Sequence, residues 1–342
     1  MTLAVVILAA GQGTRMKSKK QKILHDVGGK PMVQHVFEAA IAVADLAPVL
    51  VVGTGEDGVQ ALFGEEGSYV VQPRQSGTGH ATMMAKSDLH GKADQVIVTY
   101  GDMPLLRAST LTWLADAHKQ SSAAVTMLSV LGEEGSSFGR VARDENGRVE
   151  EIIEVAEARQ RANSAELLAI RELNAGVYCF DGGWLWKNID NLPLRQARSG
   201  QEYYLTDMIG LAVEQGRLVE ALTVEDADEC LGAGTRQELV VVEKAFRQRA
   251  NEHWMNRGVT LMDPDNIYID QDVIIGRDTI IWPNTFVQGN SRVGEDCNIG
   301  PNTIIRNAQI GSSCRIEQAT VENTILADGT RVKPYTVNND SA

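Results

Sequence analysis

The chain opens Leu3-Ala4-Val5-Val6-Ile7-Leu8-Ala9-Ala10-Gly11-Gln12-Gly13-Thr14-Arg15-Met16, and its basic residues continue through Lys17, Lys19 and Lys20 to Lys22. The apolar run from Leu3 to Leu8 predicts a strand buried on both faces, ending at small residues and two glycines, where backbone can approach a ligand closely. Backbone N–H groups after such a strand form a nest for anions. Five basic residues from Arg15 to Lys22, with no acid among them, add mobile positive charge. This is the design of a phosphate loop; the plainer reading is a glycine-containing turn with a solvated basic flank. Met16 stands where a dinucleotide fingerprint has its third glycine, and no Gly-Lys-Ser/Thr follows as a Walker loop requires, so both common phosphate loops fit poorly.

Outward from this stretch, strand and helix patterns alternate as far as about Val224. Apolar strand candidates are Leu3–Ala9, Pro48–Val52, Tyr69–Gln72, Gln95–Tyr100, Ala123–Leu131, Ala175–Phe180 and Leu218–Thr223. Helical stretches fall between them at Pro31–Ala44, Gly77–Leu89, Ala108–Lys119 and Tyr203–Gln215, the first with Pro31 at its start and the last closed by Gly216. Such alternation predicts an α/β fold: a doubly wound, mostly parallel sheet covered on both faces, with ligands beyond the carboxyl ends of the strands.

The texture changes near Thr235. Apolar positions at helical spacing (Leu239, Val242, Ala245, Phe246, Trp254) predict an amphipathic connecting helix over 236–256. Beyond it Ile275, Ile281, Val287, Val293, Ile299 and Ile305 recur every six residues; the pattern then slips by a residue and resumes at Ile310, Ile316, Leu326 and Val332. One aliphatic per hexad inside a triangular prism is the signature of a parallel β-helix, expected here to be short and left-handed, and an ordinary antiparallel domain is the competing reading. The expected division is 1–234, a connecting helix 235–258, and a short prism 259–342.

The bulk composition narrows the function. A net charge of −13 opposes a general nucleic-acid binder and makes the basic cluster at 15–22 a local exception suited to a small phosphorylated ligand. Cys179, Cys230, Cys297 and Cys314 form no Cys-x-x-Cys pair and read as reduced thiols of a cytoplasmic protein. The six histidines show no i, i+4 pair that would suggest a metal site, and no apolar run approaches the roughly 20 residues a membrane span needs.

Two further constellations belong to the first part. Gln95-Val96-Ile97-Val98-Thr99-Tyr100 runs into Gly101-Asp102-Met103-Pro104, placing a carboxylate at a strand's carboxyl end. Asp102 there is either a ligand for a hard cation such as Mg²⁺ or a cap of the following turn. In Gln72-Pro73-Arg74-Gln75-Ser76-Gly77-Thr78-Gly79-His80-Ala81, Gln72 offers one acceptor and two donors, enough to read a pyrimidine edge. Gly77-Thr78 opens a helix with free N–H groups.

Together, Leu-Ala-Ala-Gly-x-Gly-Thr-Arg-Met at 8–16, Gln72 with Gly-Thr-Gly-His-Ala at 77–81, Tyr-Gly-Asp at 100–102 and the hexad tail resemble the sugar-1-phosphate nucleotidylyltransferases. Within them the chain is most similar to the bacterial bifunctional N-acetylglucosamine-1-phosphate uridylyltransferase/glucosamine-1-phosphate acetyltransferase family. The resemblance implies that Leu8, Ala9, Ala10, Gly11 and Gly13 cradle the nucleotide, with Arg15 and Lys22 on its phosphates. Gln72, Gly77 and Thr78 would recognise uracil, and Tyr100, Gly101 and Asp102 would hold ribose and Mg²⁺. For the sugar it implies Gly139, Glu154, Asn174, Tyr204 and Thr206. On their own, Gly139 reads as a turn and Glu154 as a surface strand residue.

Three departures from the family pattern stand out. Gln21 replaces a proline before Lys22, which is expected to loosen the loop. Val155-Ala156-Glu157-Ala158 carries no basic residue where many relatives have one. The Asn of the family's Gly-x-Asn-x-Arg run, its second metal ligand, is replaced by Gly234 in Gly232-Ala233-Gly234-Thr235-Arg236, leaving Thr235, Asp226, Asp228 or an extra water to substitute. The prism also holds only three to four turns of hexads, too few for the second, acetyl-transferring site.

The resemblance implies uridylyl transfer from UTP to N-acetylglucosamine 1-phosphate, in a homotrimer assembled through the β-helix, with no nucleic-acid or membrane partner. A sugar phosphate is already an oxyanion, so no protein base or nucleophile is needed, and the sequence offers no Ser-His or Cys-His arrangement. The alternatives are another acceptor such as glucose 1-phosphate, or a degenerate regulatory subunit that binds nucleotide sugar without turnover.

Overall fold

The computed structural model describes residues 1–54, 58–132, 138–197 and 200–339. The chain divides into two compact units: Met1–His25 with Met32–Arg236, and Asp26–Pro31 with Gln237–Ala342, residues 340–342 of the expected prism lying outside the described residues.

In the first unit the sheet runs Val219–Thr223, Val125–Leu131, Glu172–Asp181, Gln95–Tyr100, Leu3–Leu8, Val49–Val52, Ser68–Val71. Successive side chains of a strand point to opposite faces, so Leu3, Val5 and Ile7 enter one core while Ala4 and Val6 enter the other. Val33, Val36 and Phe37 of the Met32–Ile41 helix and Leu111 and Leu114 of the Ala108–Ser121 helix cover the first face. Ala81 of the Gly77–Met84 helix and Met208, Ile209 and Ala212 of the Asp207–Glu214 helix cover the second. The doubly wound arrangement expected from the alternation is therefore present. One strand departs from the parallel pattern: Glu172–Asp181 runs antiparallel to both its neighbours. Between Leu131 and Glu172 the chain inserts an antiparallel pair, Arg140–Arg143 with Val149–Ile153, and two short helical turns, so it re-enters the sheet from the opposite end.

Several helix limits also move. The expected Gly77–Leu89 helix is interrupted at Ala85, giving Gly77–Met84 and Lys86–Leu89. The helix expected from Tyr203 starts only at Asp207. Tyr203 instead closes a hairpin strand, paired with Leu194 and donating its N–H to the Ser76 carbonyl at 2.8 Å. Those cross-strand bonds outweigh the local helical spacing.

In the second unit the Arg236–Met255 helix buries Val242, Phe246 and Trp254. A two-strand hairpin from Asp26 to Pro31 joins it: the Gly28 N–H donates to Glu243 Oε2 at 3.0 Å and Lys30 pairs with Asp272 at 2.9 Å. The remainder is three parallel ladders of short strands, matching the expected left-handed β-helix. Ile275, Ile281, Val287, Val293, Ile299 and Ile305 all face the interior. Coils pair Ile281 with Ile299, then Ile299 with Ile316, then Ile316 with Val332. The coils thus tighten from 18 to 17 to 16 residues, because some corners are one residue shorter. Val321 is fully buried in the column beneath Ile305. It lies five residues after Ile316, and so escapes a search for sixes. Coil stacking also depends on a column of glycines: a Cβ on Gly276 would fall 2.6 Å from the Glu295 amide nitrogen, and one on Gly294 would fall 2.6 Å from that of Ser312.

Candidate active site

Parallel register brings the informative sequence motifs to one edge of the first unit's sheet. Leu8 is level with both Tyr100 and Val51. The Gly101 N–H donates to the Leu8 carbonyl at 3.0 Å, and the Gln72 N–H donates to the Val52 carbonyl at 2.8 Å. Three strand ends therefore open into one cleft of about 1230 Å³.

The cleft is lined by Leu8, Ala10, Gly11, Lys22, Gln72 and Gln75, together with Gly77, Thr78 and Tyr100. Glutamine amides hold the loop carbonyls: Gln21 Nε2 donates to Ala9 O at 2.7 Å and Gln75 Nε2 to Ala10 O at 2.7 Å. Gln21 therefore tethers the loop it was expected to loosen. Gly13 has φ +66°, and a Cβ there would meet Lys22 Cβ at 2.4 Å, so the lysine stem lies flat along the loop. Its Nζ ends 2.5 Å from Asp102 Oδ2.

Gln72 is buried, and its amide orientation is fixed by chemistry. The nitrogen lies 3.1 Å from the Gly77 carbonyl, which can only accept, and 3.1 Å from His80 Nδ1. Oε1 is thus the group left for a ligand. The Thr78 hydroxyl accepts from the Leu205 N–H at 3.0 Å and bonds Tyr100. Burial, then the charges of Glu154 and Asp102, push the Tyr100 hydroxyl well above the ordinary phenol value, so it stays neutral. Gly176, at φ +80°, makes room for that ring: a Cβ would lie 2.6 Å from Tyr100 Cε2.

On the opposite wall stand Glu154, Arg159, Asn174, Glu202, Tyr204 and Thr206. The Asn174 N–H donates to the Gly139 carbonyl at 2.9 Å, and a Cβ on Gly139 would sit 3.6 Å from Glu154 Oε1, so these three predicted sugar positions adjoin. Asn174 Nδ2 donates to the Tyr178 hydroxyl at 2.7 Å and its Oδ1 accepts from the Gly176 N–H at 3.0 Å. Glu154 follows a strand and precedes the helical turn Val155–Ala158, at the cleft rather than on an outer surface. Burial, followed by the Glu157 and Asp207 charges, raises its carboxyl above the usual range. Glu157 and Asp207 are themselves bridged by Arg195, at 3.8 and 2.7 Å.

Other predicted residues sit behind the lining or outside it. Ala9 is buried and Gly101 packs under the loop. Asp102 meets the cleft through Lys22. Arg15 occupies a short turn, Thr14–Met16, with its side chain exposed and outside the lining. Sequence reasoning missed Gln21, Gln75 and Arg159. The glutamines show their role only once a distant carbonyl is placed beside them.

The metal question turns on Asp102. A Cβ on Gly232 would lie 3.8 Å from Asp102 Oδ1, and the Ala233 N–H donates to the Asp102 carbonyl at 3.3 Å, so the Gly232–Thr235 run borders the carboxylate without adding a side-chain ligand at Gly234. Asp226 is occupied by Arg107, at 2.6 Å, and Asp228 is exposed; neither lines the cleft. Among the described residues no group of three or more His, Cys, Asp or Glu could hold a metal. One carboxylate suits a hard cation that arrives with phosphates and keeps several waters.

A glycine-bearing strand end, a buried glutamine with an acceptor to spare and a lysine–carboxylate pair, gathered at one edge of a doubly wound sheet, fit a nucleotidyltransferase, and the relatives of this chain show that class. Residues 5–172 match the MobA-like NTP transferase domain and residues 272–307 match the bacterial transferase hexapeptide (six repeats). The chain is 41% identical to the bifunctional protein GlmU of Exiguobacterium sp. over 96% of its own length and 72% of that relative's. It is 38% identical to that of Heliobacterium modesticaldum and 39% to that of Enterococcus faecalis, in each case over 96% of this chain and 70% of the relative. The chain belongs to the GlmU family. Membership supports N-acetylglucosamine-1-phosphate uridylyltransferase activity within UDP-N-acetylglucosamine and peptidoglycan biosynthesis, with nucleotide and sugar phosphate as substrates and dependence on a divalent metal. Nothing observed favours glucose 1-phosphate as acceptor or a degenerate binding role. No helix among the described residues is long and apolar enough to cross a membrane.

Proposed function

We propose that residues 1–234 transfer the uridylyl group of UTP to N-acetylglucosamine 1-phosphate in this cleft, with Mg²⁺ as the divalent ion held by Asp102. The observation that carries the reading is the meeting of Lys22 and Asp102 beside the Leu8–Gly11 loop and across from Glu154 and Asn174. Uracil stacks against the loop backbone and presents its N3–H to Gln72 Oε1, and the triphosphate follows the loop N–H groups toward Lys22, with Arg15 reaching in from outside. Gly139, Glu154, Asn174, Tyr204 and Thr206 hold the sugar. An oxygen of the sugar phosphate attacks the α-phosphorus in line, a P–O bond forms there, and pyrophosphate leaves with the electrons of the broken bond. No proton need move, so a neutral Tyr100 and a cleft without a histidine base are consistent with the step. When bound, the ion neutralises charge on the phosphates; the chain itself contributes orientation and the Lys22 cation.

The prism of residues 259–342 is proposed to assemble a homotrimer, and the protein to work in the cytoplasm where UTP is made, with no nucleic-acid or membrane partner. The chemistry is tested by pyrophosphate release from UTP over a panel of sugar 1-phosphates, with and without Mg²⁺. N-acetylglucosamine 1-phosphate should be the best acceptor, and only with the metal. Equal release with glucose 1-phosphate, or UDP-sugar binding without turnover, would replace this reading.

A further inference from the structure

The cleft must bring two polyanions together, yet its lining is poor in available positive charge. Of its cations, Lys22 is already matched by Asp102 at 2.5 Å, and the lining also includes the carboxylates Glu154 and Glu202. The arginines nearby are engaged as well. Arg161 is bound by Glu151 at 2.6 Å and by Glu157 at 2.9 Å, and Arg195 is bound by Asp207 at 2.7 Å. Arg159 differs: it lines the same wall as Glu154 and Tyr204, and its side chain makes no hydrogen bond or ion pair with any described residue.

Local structure explains its position. Glu154 precedes the helical turn Val155–Ala158, and the Arg159 N–H closes that turn on the Val155 carbonyl at 3.2 Å. One turn therefore sets a carboxylate and a guanidinium at successive points of the same wall. The carboxylate suits sugar hydroxyls and repels a phosphate, while the guanidinium fork matches phosphate oxygens.

We infer that Arg159 binds the phosphate of the incoming sugar 1-phosphate, supplying from the end of this turn the cation absent from residues 155–158. The inference rests on the function proposed above. It makes Arg159 a determinant of acceptor affinity, separate from the Lys22 end of the cleft.

The test compares wild type with Arg159→Ala and Arg159→Lys in steady-state pyrophosphate release, alongside calorimetric titration of N-acetylglucosamine 1-phosphate and of uncharged N-acetylglucosamine, each with and without a non-reactive UTP analogue. Arg159→Ala should raise KM for the sugar phosphate about 10- to 100-fold, the size expected for a lost charged hydrogen bond. KM for UTP and affinity for the uncharged sugar should hold, and Arg159→Lys should recover part of the loss. An unchanged affinity for the sugar phosphate in Arg159→Ala, in either assay, overturns the inference. So does an equal loss for the uncharged sugar, which would mean a disturbed wall. If wild type releases no pyrophosphate with any acceptor, the proposed function fails on its own, and the titrations still decide Arg159.

Discussion

Lys22 Nζ and Asp102 Oδ2 stand 2.5 Å apart across 80 residues of sequence. They follow Leu3–Leu8 and Gln95–Tyr100, two parallel neighbours in the sheet, and the register of Leu8 with Tyr100 is what makes the two meet. The lysine stem packs along Gly13, so methionine at this position keeps the packing and removes only the charge. Lys22→Met should retain the fold by circular dichroism and lower turnover by roughly two to three orders of magnitude, as for loss of one oxyanion donor. Near-normal pyrophosphate release would remove Lys22 from the chemistry.

Gln72 predicts the choice of base. Its amide nitrogen is spent on the Gly77 carbonyl and His80, leaving an acceptor for the ligand. Uracil offers N3–H to such an acceptor, whereas N3 of cytosine is itself an acceptor, so UTP should be preferred over CTP. Gln72→Glu cannot donate to the Gly77 carbonyl without first taking up a proton. It should raise KM for UTP about tenfold or more, the cost of an unmet buried hydrogen bond. Equal use of CTP and UTP by wild type would count against this orientation.

These two residues show what the sequence could reveal. Lys22, Asp102 and Gln72 are legible because each follows an apolar run whose end marks the ligand edge of a parallel sheet. Arg159 is not, since its meaning depends on which neighbouring arginines are already paired. Gln21 was misread for a similar reason: its partner, the Ala9 carbonyl, is fixed by the loop's return path rather than by spacing. The reversed strand Glu172–Asp181 is hidden as well, because a strand buried on both faces looks apolar in either direction.

Glu154 gives a pH prediction. Burial and the neighbouring Glu157 and Asp207 carboxylates raise its folded pKa above the usual 4.5. The native state then holds a proton that the unfolded chain has lost, so stability falls as pH rises from about the unfolded value through the folded one, and the penalty persists above it. Glu154 accepts from the Glu157 and Ala158 N–H groups only through its backbone carbonyl, and its carboxylate makes no hydrogen bond with any described residue, so Glu154→Gln removes the penalty without breaking a bond. The variant should show a higher urea midpoint than wild type at pH 7 and no advantage at pH 4, while losing affinity for the sugar. An advantage that is the same at both pH values would mean that charge is not the cause.

The β-helix yields a prediction that separates coil geometry from simple periodicity. Counting sixes points to Val332 and passes over Val321, yet Val321 is fully buried beneath Ile305, while Val332 is only partly covered at the end of its column. The short corners on either side of Val321 use Gln318 and Asn323 in the left-handed region, with φ of +49° and +50°. The six-residue corners carry a left-handed residue as well, three after the interior aliphatic at Asp278 and Asn284 rather than two after it as at Gln318 and Asn323, so the residue lost lies between the aliphatic and the turn. Val321→Ala deletes about two methylene equivalents from a close-packed column and leaves a cavity, a cost of roughly 2 kcal/mol. Hydrogen exchange of the strand amides over 303–326 should accelerate by roughly 30-fold, at about 1.4 kcal/mol per decade. Val332→Ala has less buried surface to lose and should change the same amides far less. If the two substitutions act equally, the interior is set by a plain six-residue repeat, and the tightening from 18 to 16 residues has no energetic consequence.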